Sequence, residues 1–398
     1  MKKKSSILII FFFILFLLLP QIGKLFNIKG EGKNLENRTL ASFPEINRNS
    51  LFSASFGKKM NEYIWDHFPL RSILLKMDHW IDYHVFRDSP VPEKVILGKK
   101  EWLFLSNPID NLVGKNAEKI DLFKFVFSNT LKAQKKSNIR IIILPSPSKA
   151  SIYPEFLPEQ YKDKHLQEHN IFEKSLNKIS SKNKSLLLLW ETFRKRKKQL
   201  LTKRSSNRIE KRTRYLFQPR DRHFHWETSL LQSKKVIDTI APGKWKKDMF
   251  SSYFSGYKFK ESELAKGFLK IRLMEPYKEI YLKEMFKAFN FKIEFKTFSD
   301  SKHKYFVFRS DISNKFTPLK KKLVVIHDSF FEQSKFFIAP FFTRSTFLHW
   351  RFFKNSKLFM KIVRDADILV IQSVEGRWHL RLFKLNKILK SLKRSRIS

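Results

Sequence analysis

Ser329 stands in the stretch KKLVVIHDSFFEQSKFFIAPFF, residues 321 to 342, two residues beyond an apolar run and just ahead of helical spacing. A serine on a strand-to-helix turn offers its hydroxyl above the end of a sheet. The first N–H groups of the following turn aim at whatever sits there, which suits an acyl-accepting nucleophile. The same residues also suit a plain helix start capped by Asp328 or Ser329. A serine nucleophile needs a base, and the base needs a group that fixes its tautomer. Among eleven histidines, the stretch QPRDRHFHWETS, residues 218 to 229, offers both. Asp221 and His223 are two apart, so in extended chain they project from one face. His225 falls on that face too and is the alternative base. These three side chains can also bind metals, but no further ligand follows at zinc-site spacing, so no metal is expected.

The elements that must position these residues alternate. Helical spacing runs over 118–136, 164–182 and 227–241; short, continuously apolar runs over 138–145, 185–191, 321–327 and 366–372 read as strands buried on both faces. This pattern predicts an α/β fold, a mostly parallel sheet with helices on both faces, beginning near residue 116. Ligands of such folds sit beyond the carboxyl ends of the strands. The polar segments that follow the runs, PSPSK, HDSF and SVEGR, are therefore the places to look. Residues 24–115 read as a connecting region. Helical spacing covers 56–86, with Pro69 opening a second helix, and VILGKKEWLFL, residues 95 to 105, reads as two short strands around a turn.

Charge and composition narrow the partners. The 398 residues hold 80 Lys+Arg against 37 Asp+Glu, a formal net charge of +43. Such a surface attracts anionic polymers or lipid headgroups. No nucleic-acid-binding motif accompanies the charge, and nucleic acid is not the expected partner. Twelve Lys/Arg and the single acid Glu210 fall between Arg194 and Arg220, a basic insertion that reads as a solvated loop or a patch for an anionic glycan or lipid. The absence of cysteine excludes disulfides, thiolate metal sites and a cysteine nucleophile. At the N-terminus, Lys2, Lys3 and Lys4 precede an unbroken apolar run from Ile7 to Leu19, and no small-x-small cleavage site follows. The stretch from Ser5 to Ile22 spans about 27 Å as helix. Residues 1–23 are thus expected to be a retained membrane anchor rather than a cleaved signal. The lysines would stay cytoplasmic and the body would lie beyond the inner membrane, in the periplasm.

Seven motifs occur in an order that resembles the SGNH-hydrolase-like family of alginate and cell-envelope polysaccharide O-acetyltransferases. They are ENRTLASFP (36–44), MNEYIWDHFPLR (60–71), VILGKKEWLFL (95–105), PSPSKASIYPEFLP (145–158), DRHFHW (221–226), HDSF (327–330) and ADILVIQSVEGRW (366–378). Together they span nearly the whole chain after the anchor. The resemblance implies a triad in the chain order Asp221, His223, Ser329, with Ser329 acylated and the acyl group passed on. The N–H of Ser329 or Phe330 is the expected oxyanion donor. Arg377 would hold a carboxylate or the developing oxyanion, or else pair with Glu375. Lys149 and Tyr153 would line the site, or else fix their loop. The resemblance also implies a multi-spanning membrane O-acyltransferase as acyl donor, an anionic or neutral polysaccharide as acceptor, and no cofactor. An acetylesterase uses the same triad, with water in place of the sugar hydroxyl. A chain of this fold without chemistry would be a glycan-binding or assembly subunit. Three positions depart from the pattern: Phe224 replaces the Trp after the catalytic His, the Gly that follows that motif is absent, and His327 stands where many SGNH enzymes have Gly.

Overall fold

A computed structural model of the chain describes residues 39–68, 71–106, 116–181, 183–202, 213–289, 291–297, 304–310, 318–354 and 356–394, with isolated positions elsewhere. Most of the apolar N-terminal run, the start of ENRTLASFP and residues 203–212 of the basic insertion lie outside them. Among the described residues no helix is long and apolar enough to cross a membrane.

The chain forms two compact units. The smaller comprises the residues up to Val95 together with Glu263–Leu273. Its helices are α1 (Ala54–His67) and α2 (Arg71–Ile81), the pair expected on either side of Pro69. Asp66, buried on α1, accepts the Ala41 N–H at 2.8 Å and so fastens the end of the ENRTLASFP segment to the helix. His79 on α2 bonds the Leu269 carbonyl at 2.9 Å.

The larger unit comprises Ile96–Ser262 and Met274–Ser398. Strands β1 (Val95–Leu97) and β2 (Leu103–Leu105) pair as the expected hairpin. Gly98 at its turn has no alternative, because a Cβ there would lie 2.3 Å from the Phe156 carbonyl oxygen. Next come α3 (Asn116–Ser137), β3 (Arg140–Ser146), α4 (Glu159–Ser180), α5 (Trp190–Thr202) and α6 (Trp226–Ile240). Strands β4 (Phe254–Glu261) and β5 (Met274–Ile280) form an antiparallel pair of their own. Helix α7 (Leu282–Ala288) leads to β6 (Phe291–Thr297), β7 (Lys304–Ser310) and β8 (Leu319–His327). The chain finishes with α8 (Ser334–Ile338), β9 (Phe342–His349), α9 (Ser356–Arg364), β10 (Ile368–Val374) and α10 (Trp378–Arg394).

The central sheet has six strands in the order β3-β10-β8-β9-β7-β6. β3, β10, β8 and β9 are mutually parallel, and β7 and β6 extend the sheet antiparallel. All seven residues of β10 are buried, as are the last five of β8, so both faces of the sheet centre are covered. The fold is therefore mixed α/β around a central sheet, as the apolar runs predicted. The expected strand at 185–191 is different: Leu186 makes one bridge to Ile143, and the chain enters α5 at Trp190. Strands β4 to β7 and β9 were not expected. Their alternation of apolar residues with Lys, Arg, Glu or Thr, as in FKIEFKT and KYFVFRS, is the period-two signal of half-exposed strands.

Where β10 ends, buried Glu375 ties four elements together. Its Oε1 accepts the Ser148 N–H at 3.0 Å and the Ser148 hydroxyl; its Oε2 accepts the Trp190 indole N–H at 2.9 Å and lies 3.5 Å from His169 Nδ1 on α4. Replacing Glu375 with Ala orphans the indole and amide N–H groups. The expected cost is about 2–4 kcal/mol in urea unfolding, and a loss under about 1 kcal/mol would show that the hub is not structural. His165 and His225 are buried, and burial pushes each ring down to about 4. Both stay neutral in the fold, whereas the unfolded chain takes the protons near the ordinary histidine value of about 6.5. Stability should accordingly fall as pH drops from about 6.5 to 4. A urea midpoint that is flat across that window would contradict the burial of these rings.

Candidate functional site

The turn that carries Ser329 grows directly out of the sheet. β8 ends at His327, and Asp328 caps a single 3-10 turn, Ser329–Phe331. The Asp328 carboxylate is buried and fully engaged. Oδ1 accepts the Phe330 N–H at 3.0 Å, and Oδ2 accepts the Ser373 hydroxyl at 3.1 Å and the Val374 N–H at 2.8 Å, both on the neighbouring strand β10. Its own N–H donates to Gln372 Oε1 at 3.1 Å. The Gln372 amide then donates to Ser146 Oγ at 3.0 Å, Ser146 donates to Gln232 Oε1 at 2.7 Å, and Gln232 donates to Ser334 Oγ at 3.0 Å. This chain of buried hydrogen bonds locks the turn to β10, β3, α6 and α8. His327 braces it from behind: Nδ1 donates to the Asp328 carbonyl at 2.8 Å, and the ring packs on Phe331, Phe347 and His349. It is not among the residues that line the cavity beyond the turn.

Beyond the turn lies a cavity of about 190 Å³ lined by Ser329, His223, Phe224, Phe330, Ser229, Lys260, Glu332 and Gln333. Two segments a hundred residues apart in sequence, 221–229 and 327–333, thus share one pocket at the carboxyl end of β8. His223 Nδ1 is 3.5 Å from Asp221 Oδ1. That same oxygen accepts the Arg222 N–H at 2.7 Å and the His223 N–H at 3.3 Å, a tight turn that fixes the carboxylate against the imidazole. Lys260 on β4 reaches Asp221 Oδ2 at 3.1 Å. Burial alone would raise the Asp221 carboxyl, but the His223 hydrogen bond and the Lys260 charge outweigh it and hold the group far below the usual carboxylate range. Asp221 is therefore an anion at neutral pH.

His225, the alternative base, does not line the cavity. It occupies the N-cap position of α6, and its N–H donates to the Leu216 carbonyl at 3.1 Å. Phe224 is buried in edge contact with Phe193, Phe217 and Phe330 at 4.9–5.5 Å. Trp226, the first residue of α6, packs on Phe336 and Phe337 of α8.

Lys149 and Tyr153, expected to line the site, are buried against residues 216–219 and are absent from the cavity wall. The Lys149 ammonium donates to the consecutive carbonyls of Gln218, at 2.9 Å, and Pro219, at 2.8 Å, between the rings of Trp102 and Phe104. Burial pulls it down to about 7, against the opposing pull of the Asp221 and Glu275 charges. The Tyr153 hydroxyl accepts the Leu216 N–H at 2.9 Å, and burial pushes its ionisation upward. The hairpin joins in: the Leu103 N–H donates to the Pro219 carbonyl at 2.9 Å, and Trp102 stacks on Phe156 at 4.2 Å. The hairpin motif and the Lys–Tyr–Pro–Glu motif thus form a clamp on residues 216–219, which holds Asp221 and His223 in place. Of the two expectations for this pair, loop fixing is the one the contacts match.

Arg377 ends the 3-10 turn Glu375–Arg377 and is half-buried, outside the cavity wall. Its expected ion pair with Glu375 does not form, because Ser148, Trp190 and His169 hold that carboxylate. The expected Phe330 N–H oxyanion donor is likewise taken, by Asp328. Sequence reasoning missed Ser229, Lys260 and Gln333. Nothing local marks them. Lys260 is one of two lysines on an exposed strand, and Gln333 follows Ser329 without any motif.

No family model and no curated protein matches the chain. Solved structures similar to it include Bacillus cereus PatB1, at 14% identity and a TM-score of 0.43 over 71% of this chain and 96% of that one. The O-acetyltransferase domain of Pseudomonas putida AlgJ is similar at 12% identity and a TM-score of 0.42, over 76% of this chain and 99% of that one. Pseudomonas aeruginosa AlgX is similar at 10% identity and a TM-score of 0.39, over 75% and 67% of the two chains. Likeness this distant carries no weight for function, which is argued below from the cavity and its residues.

Proposed function

We propose that this chain is a serine-dependent O-acyltransferase that moves an acetyl group onto hydroxyls of a cell-envelope polysaccharide through an acyl-enzyme on Ser329. The observation that carries the proposal is the shared cavity. Ser329 lines it on the nucleophile turn, His223 lines it from the other segment, and Asp221 stands behind His223 Nδ1 at 3.5 Å. With Nδ1–H held by the carboxylate, Nε2 is the nitrogen that accepts a proton.

The chemistry runs in two balanced halves. His223 Nε2 takes the Ser329 proton as Oγ attacks the carbonyl carbon of the acyl donor. The resulting oxyanion collapses, the donor oxygen leaves with the proton from His223, and Ser329 carries the acyl group. A sugar hydroxyl then gives its proton to His223 and attacks the ester, and collapse returns the proton to Ser329 Oγ. Splitting the transfer in this way replaces one high barrier with two lower ones. The Asp221 anion stabilises the imidazolium in both halves, and Lys260 keeps that buried carboxylate paired throughout.

The acceptor class and the acetyl group rest on the motif resemblance from ENRTLASFP to SVEGRW. So do the membrane-bound O-acyltransferase as donor, attachment to the inner membrane through residues 1–23, and action on the periplasmic side. The net charge of +43 favours an anionic polymer over a neutral one.

Wild-type protein should be labelled by a fluorophosphonate probe and should hydrolyse p-nitrophenyl acetate, with both lost in Ser329→Ala. Labelling that survives the substitution would remove Ser329 from the mechanism. His223→Ala should lower kcat by about 10³-fold or more, whereas His225→Gln should stay within about tenfold of wild type. The reverse ranking would transfer the base to His225. Counting acetyl on an added polysaccharide against free acetate separates the transferase from an acetylesterase.

A further inference from the structure

An acyl-transfer site must supply donors for the negative charge that develops on the carbonyl oxygen. This turn has fewer backbone donors to give than its shape implies. The Phe330 N–H is spent on Asp328 Oδ1 at 3.0 Å, and the Phe331 N–H on the Asp328 carbonyl at 3.1 Å. The Ser329 N–H is the remaining donor at the head of the turn, and one donor is a poor match for an oxyanion with three lone pairs. A second has to come from a side chain of the cavity.

The polar side chains of the cavity can be taken in turn. Glu332 is an acceptor, its carboxylate bonded to Lys335 at 2.5 Å. Lys260 is drawn to Asp221 Oδ2 at 3.1 Å. The Ser229 hydroxyl directs its proton to Gln333 Oε1 at 2.9 Å. Gln333 is left. It occupies the N-cap position of α8, yet its side chain does not cap that helix. With Oε1 fixed by Ser229, itself 1% exposed, the amide has a set orientation and presents both Nε2 hydrogens on the opposite side. Among the described residues none accepts them.

We propose that Gln333 is the second oxyanion donor of the Ser329 site, and that Ser229 is the positioning residue that sets its amide. This rests on Ser329 being the acyl-carrying nucleophile. In the tetrahedral intermediate the carbonyl π pair resides on oxygen, which accepts from the Ser329 N–H and from Gln333 Nε2. On collapse the pair re-forms C=O, and nothing is transferred to or from the glutamine. Fixed side-chain dipoles of this kind act without reorganisation, so the loss on removing one appears in kcat rather than in KM.

The test uses the full chain and p-nitrophenyl acetate, with Gln333→Ala and Gln333→Glu compared with wild type and melting temperature recorded for each. Both variants should lose about 10²–10³-fold in kcat with KM within about threefold. Gln333→Glu keeps the side-chain length and an acceptor for Ser229 but has no N–H, so it should lose at least as much as the alanine variant. Ser229→Ala should lose less, and the Ser229→Ala/Gln333→Ala double variant should be no slower than Gln333→Ala alone, since a positioning residue has nothing left to position. A kcat within threefold of wild type in folded Gln333→Ala or Gln333→Glu, with Ser329→Ala inactive, overturns the glutamine and leaves the acyl-transfer proposal standing. Wild-type protein that neither turns over nor takes the fluorophosphonate at Ser329 overturns both.

Discussion

A buried carboxylate, Asp328, holds the strand that leads to Ser329 to the strand beside it. Its two oxygens accept one bond from the turn itself and two from β10, and its N–H reaches Gln372 on that same strand. A charge removed from water is tolerated only where hydrogen bonds replace its hydration. The turn therefore has one low-energy conformation, in which Ser329 stands at the cavity. The relay through Gln372, Ser146, Gln232 and Ser334 extends the same constraint to β3 and to the two helices above, each link satisfied and each buried. The position of a single hydroxyl is thus fixed by polar groups drawn from five elements.

The other half of the site is held by a buried amine. Lys149 begins just past the end of β3, and its ammonium is satisfied by two consecutive carbonyls of the segment that leads to Asp221. Trp102, Phe104 and Tyr153 exclude water around it. Both clamps spring from carboxyl ends of the parallel strands, where the chain leaves the sheet and where polar side chains can meet without crossing the apolar core. A common frame then sets the distance between the His223 imidazole and the Ser329 hydroxyl, although neither clamp touches either group.

How much of this was legible varied with the kind of signal. The buried strands β3, β8 and β10 announced themselves as unbroken apolar runs, because strands covered on both faces have no polar side to show. The run at 185–191 gave the same signal without becoming a strand, since one bridge to Ile143 is all the sheet edge accepts before α5 begins. Asp221, His223 and Ser329 were legible as types at suggestive spacings, and the motif order joined them. Gln333 and Lys260 were invisible, because a surface-like Gln or Lys acquires meaning only from what folds over it. Lys149 was visible but misplaced: its motif marks a position that matters, and only contacts distinguish lining a pocket from supporting a loop.

The amino-acid sequence by itself determined the alternation of buried strands and helices, the polar turns at the strand ends, the strongly basic surface, and the short set of residues able to act as nucleophile, base and orienter. Each of these follows from local periodicity or from side-chain chemistry, which neighbours in the chain suffice to express. Tertiary structure decided which histidine shares the cavity with Ser329, which carboxylates are spent on structure, and which backbone donors of the turn are already engaged. Those outcomes depend on contacts between residues some 40 to 230 positions apart, and no local pattern encodes which distant group will use up a given hydrogen bond.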